Sequence, residues 1–74
     1  MTTQQHQALN DFATRYKIPY EALEIKRVYG KNKGCIKGKV VLESHIETLQ
    51  GLFEHSIIVN PVGWVKQQKT KIIA

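Results

Sequence analysis

Six cations, Lys26, Arg27, Lys31, Lys33, Lys37 and Lys39, stand between Glu24 and Glu43 with no carboxylate among them. Side chains of this type and density do one kind of chemistry unaided, the electrostatic capture of phosphates and other anions. Gly30, Gly34 and Gly38 are interleaved with them. The segment YGKNKGCIKGKVVL therefore reads as a turn feeding a strand, with its lysines held outward. The same pattern also suits a strand edge that lysine keeps from aggregating. The whole chain is basic, with eleven Lys and Arg against six Asp and Glu and a net charge of +5.

Other chemistries find little support. His6, His45 and His55 are scattered, and His45 and His55 fall at opposite ends of one expected helix, off a shared metal-binding face. A single cysteine, Cys35, excludes an internal disulfide and leaves no thiolate pair for structural zinc; its ordinary role is that of a small half-buried hydrophobe. GKNKG and GCIKGK lack the spacing of a phosphate-binding loop. A non-enzyme is expected, with no metal, no cofactor and no small-molecule substrate.

The 74 residues make one small domain, 42% apolar and 23% charged, which is a composition that folds. A domain of this size buries only about 60% of the surface its unfolded chain exposes, so support from a second copy or a ligand is in keeping with its length. No apolar run approaches the roughly 20 residues that span a bilayer, and MTTQQHQ has neither the basic nor the apolar part of an export signal. A reducing, cytoplasmic setting without membrane contact is expected.

These cations must be positioned by the elements around them. Over residues 3–16, Leu9, Phe12, Ala13 and Tyr16 recur at helical spacing behind Thr2 or Thr3 as cap. Pro19 interrupts that helix. The next segment, PYEALEIKRVY, is readable two ways: Tyr20, Leu23 and Arg27 form a helical stripe, whereas Leu23 and Ile25 alternate with charges as in a strand. Helix is the preferred reading. CIKGKVVL is a strand with Ile36, Val40 and Leu42 on one face, the second arm of a basic hairpin over 29–42. SHIETLQGLFEH predicts a helix over 44–55, with Ser44 and Glu47 at capping-box spacing. SIIV, NPVG and WVKQQ then predict a hairpin over 56–74, with Pro61 at the second turn position and Gly63 at positive φ.

Within this order LNDFATRYKIPYEAL resembles a helix-turn-helix, with Ala13 at the close approach of the helices and Lys17 where the family often has glycine. Residues 36–53, IKGKVVLESHIETLQGLF, are similar to the wing and following helix of excisionase-type proteins. The resemblance covers about residues 9–53. It implies an α+β winged helix-turn-helix that binds duplex DNA as a recombination accessory or transcription regulator, assembling cooperatively on its site. Tyr20, Lys26 and Arg27 would then belong to the recognition helix, and Lys31, Lys33, Lys37 and Lys39 to the wing. Glu21 and Glu24 fit that helix poorly, because carboxylates repel phosphate. Were residues 20–28 a strand instead, the chain would be a non-catalytic β-rich module binding protein or RNA, and dimeric through its C-terminal hairpin. Trp64 suits either a core position or a self-association anchor.

Overall fold

The structure, a computed structural model, describes residues 1–46 and 49–73. It is α+β: one N-terminal helix, α1 (Thr3–Arg15), followed by a four-stranded antiparallel sheet of β1 (Glu24–Arg27), β2 (Ile36–Ile46), β3 (Leu49–Val59) and β4 (Val65–Ile72). The strands lie in chain order, β1-β2-β3-β4.

The helix begins and ends by local chemistry. Thr2 Oγ1 accepts from the Gln5 N–H at 3.1 Å, and the Gln5 carboxamide oxygen accepts from the Thr2 N–H at 2.9 Å, a reciprocal capping box. At the other end Lys17 takes φ 57° while its N–H donates to the Thr14 carbonyl and the Ile18 N–H donates to the Ala13 carbonyl. This is the left-handed closure usually given to glycine.

The core lies between α1 and one sheet face. Leu9, Phe12 and Ala13 from the helix meet Ile36 and Val40 of β2 and Ile57 and Val59 of β3, with Leu23 entering from the segment before β1. Phe12 stands edge-on to Tyr16 at 5.0 Å. Along β2, with the buried Gly38 between Ile36 and Val40, and along β3 these buried positions are two apart, so the intervening side chains point to the opposite face. No element of the described chain covers that face.

Two expected helices are strands. Residues 20–28 form a short 3-10 turn at Tyr20–Ala22 and then β1, so no helix-turn-helix pair is seen among the described residues. The reason is burial: Leu23 and Ile25 reach the core by alternation, and β1 satisfies the edge of β2 from Glu24↔Lys39 to Arg27↔Ile36. The helix expected over 44–55 is replaced by the far end of β2 and the start of β3, paired from Ile36↔Val59 to Ile46↔Leu49. Glu47, invoked there for a capping box, lies outside the described residues. Phe53, His55, Ile57 and Val59 keep one alternation through what reads in sequence as a helix boundary, and that unbroken period of two belongs to a strand. The hairpin expected over 56–74 is present as β3 and β4, with Gly63 at φ 89°.

Candidate nucleic-acid interface

The uncovered sheet face carries the largest cluster of cations. On β2, Lys37 and Lys39 alternate with the buried Ile36, Gly38 and Val40 and so project away from the helix. The register sets Lys26 beside Lys37 and Glu24 beside Lys39. On β4, Gln68 faces the helix, where it accepts from Arg15 Nη1 at 3.4 Å, and Thr70 faces it through His55 Nδ1 at 3.1 Å. Lys69 and Lys71 therefore share the face of Lys37 and Lys39. Ser56 and Ile58 of β3 lie between the two lysine groups.

Three glutamates moderate this charge. Glu24 accepts from Lys26 Nζ at 2.9 Å and pairs with Lys39 Nζ at 3.5 Å, and Glu54 pairs with Lys39 Nζ at 3.3 Å. The hydrogen bond and charge of Lys26, followed by the charge of Lys39, hold the Glu24 carboxyl below its ordinary value. The hydrogen bond that Lys39 donates to Glu54 and the charge of Glu24 hold the Lys39 ammonium above its own. Glu43 is the third carboxylate on this face. Lys37, Lys69 and Lys71 have no ion pair among the described residues and are the cations open to a new anion. A shallow hollow of about 50 Å³ lies among Lys26, Lys37, Lys39 and Glu24.

The cations singled out in sequence divide three ways. Lys26, Lys37 and Lys39 come together on the open face. Arg27 falls on the other side of β1, opposite Ile36, and Lys33 is in the loop before β2; both border a separate cleft. Lys31 lies in the 3-10 turn Gly30–Asn32. Tyr20 is half-buried on the helix side, with its hydroxyl 2.8 Å from His6 Nδ1, and burial raises the pKa of its phenol. Trp64 is 74% exposed at the β3–β4 turn, outside the core.

Lys69 and Lys71 escaped the sequence reading, although the K-T-K spacing already places two like charges on one strand face. The register brings no Phe, Tyr or Trp of the described strand residues onto this face, unlike sheets that stack unpaired bases, and the exposed Trp64 stands in the turn at its β3–β4 end. Among the described residues no group of three or more His, Cys, Asp or Glu converges as metal ligands. Among the described residues no helix is long and apolar enough to cross a membrane.

Compared with protein-family models, curated proteins and solved structures, the chain matches none of them.

Proposed function

We propose that this protein binds duplex DNA through the uncovered face of its sheet. The observation that carries this reading is the projection of Lys37, Lys69 and Lys71 from one face without an ion pair among the described residues. Lysine ammonium groups suit phosphates as mobile point charges, and their spread over β2 and β4 spans more than one strand spacing of about 4.8 Å. Antiparallel ribbons are an established means of entering a DNA groove, and the 11-residue strands β2 and β3 supply one. Ser56 and Gln67 are the neutral hydrogen-bonding side chains between the lysines and are the candidates for base edges. A duplex suits this face better than a single strand because the strands present ammonium groups there without stacking rings between them.

Fluorescence anisotropy of a labelled DNA duplex tests the proposal. Binding should weaken steeply with salt, and K37A/K69A/K71A should abolish it at a salt concentration where the parent protein binds. Absence of binding at low salt, or an unaffected triple variant, overturns the reading. An RNA duplex of the same sequence is the control, because its deep, narrow major groove excludes a ribbon. Equal affinity for both would reduce the interaction to backbone charge alone.

A further inference from the structure

On the helix side of β1 and β2, away from the lysine face, an open cleft of about 300 Å³ lies between the first turn of α1 and the loop that joins the two strands. Its volume is at the lower end of the range for small-molecule sites. Arg27 and Lys33 border it, no carboxylate lines it, and neither cation has an ion pair among the described residues. Tyr29, 80% exposed, contributes an aromatic ring to the rim. Deeper in, Gln5 and Cys35 are buried, and the Gln5 carboxamide is already committed: its Nε2 donates to the Gly34 carbonyl at 2.9 Å and to the Val59 carbonyl at 3.3 Å. The base of the cleft is therefore neutral and satisfied, and the open valence is at its rim.

We propose that this cleft binds a terminal phosphate carried beside a planar base, with Arg27 and Lys33 holding the phosphate and Tyr29 stacking on the base. A phosphate monoester carries about −1.5 to −2 charges near neutral pH, which two cations match, whereas a diester carries one. The planar guanidinium of Arg27 presents paired N–H donors to two phosphate oxygens, and Lys33 adds a movable ammonium. An exposed phenol ring without a packing partner is a stacking platform for a base. This chemistry occurs in a free mononucleotide and at the phosphorylated end of a strand. It is independent of the sheet face, from which Arg27 and Lys33 are turned away.

The test is an NMR amide titration with AMP, adenosine, inorganic phosphate, and a short single-stranded oligoadenylate with and without a 5′-phosphate. AMP should saturate shifts at residues 27–35 and bind at least ten-fold more tightly than adenosine or inorganic phosphate. R27Q/K33Q should weaken it at least ten-fold and Y29A at least three-fold, while K37A/K69A/K71A leaves it unchanged. If the 5′-phosphorylated strand binds more tightly than AMP in an Arg27-dependent way, the strand end is the ligand; otherwise it is the free nucleotide. Failure of both AMP and the phosphorylated strand to saturate, inorganic phosphate binding as well as AMP, or shifts confined to the lysine face overturns the proposal. Because the sheet-face and cleft variants are scored separately, duplex binding can fail while this site stands, and the reverse.

Discussion

A Cβ built on Gly38 would stand 2.7 Å from Leu9 Cδ2, so α1 rests on the sheet at a point where β2 has no side chain. Leu9 is fully buried, and Ile57 Cγ2 and Leu23 Cδ1 close the same space at 3.6 and 3.9 Å from that position. Neither the leucine nor the helix can retreat without opening the core. Gly38→Ala should therefore destabilise the protein by about 1–3 kcal/mol through overpacking, despite the better strand propensity of alanine. Leu9→Ala should cost about 2–5 kcal/mol. The double variant should cost less than the sum, because the shortened side chain at position 9 leaves room for the new methyl. Urea unfolding of the three proteins measures this, and strict additivity would contradict the packing argument.

Gln5 ties the first turn of α1 to two other segments, the loop at Gly34 and the end of β3 at Val59, and is 1% exposed. Gln5→Leu keeps the apolar volume but removes the donor to two carbonyls and half of the capping box. A loss of about 1–3 kcal/mol is expected. Hydrogen exchange should accelerate first at residues 33–35, where the loop loses its anchor, while amides in the centre of β3 keep their rank order of protection.

Local chemistry made much of this fold legible. The Thr2 cap, the β2 alternation of Ile36, Val40 and Leu42, and the turn with Gly63 are each governed by neighbours in sequence. Residues 20–28 and 44–55 are governed by partners far along the chain. EALEIKRV and SHIETLQGLFEH contain good helix formers, yet as helices they would leave one edge of β2 unpaired and the other paired only over Ile36 to Lys39. As strands they satisfy those edges, and tertiary pairing overrides propensity. The open face was half legible for the same reason. Lys37 and Lys39 show their common side by spacing, but their meeting with Lys26 and with Lys69 and Lys71 depends on the register of three strand pairs.

Glu24 is the residue that most directly opposes anion binding on this face. Its carboxyl is held below the ordinary glutamate range by Lys26 first and Lys39 second, so whatever these pairs add to folding is present above the ordinary glutamate pKa. That contribution is lost as pH falls through the lowered value. Carbon-detected NMR titration should show the lowered pKa, and Lys26→Met should move it upward. Glu24→Gln frees Lys26 while Lys39 keeps Glu54, so affinity for a DNA duplex should rise roughly three- to ten-fold at neutral pH and low salt. The melting temperature should hardly change, because exposed pairs contribute little to stability.

Trp64 is held by its backbone rather than its ring. Its N–H donates to Asn60 Oδ1 at 2.8 Å, and its carbonyl accepts from the Asn60 N–H at 2.8 Å. Asn60 Oδ1 also accepts from the Val62 N–H at 3.1 Å, and the Pro61 carbonyl accepts from Thr2 Oγ1 at 2.7 Å. Trp64→Ala should change stability by no more than about 0.5 kcal/mol, whereas Asn60→Ala should cost about 1–2 kcal/mol. Sedimentation of the Trp64→Ala variant tests the remaining use of an exposed indole. If the parent protein self-associates through this turn, the variant should shift to monomer.

If the proposed duplex binding holds, its salt dependence should separate the lysines that alternate on the sheet from those that are merely close in sequence. Each lysine that neutralises a phosphate contributes roughly 0.9 to the slope of log K against log salt concentration. Removing Lys37, Lys69 and Lys71 singly should lower the slope by about that amount each, in addition to weakening binding. Lys31 and Lys33 belong to the same acid-free run as Lys37, yet they lie in the loop beyond the end of β1. K31A/K33A should leave the slope within error of the parent value. If the loop pair instead lowers it as much as the strand lysines do, sequence proximity rather than strand geometry defines the contact surface, and the duplex lies across the β1–β2 loop instead of along the ribbon.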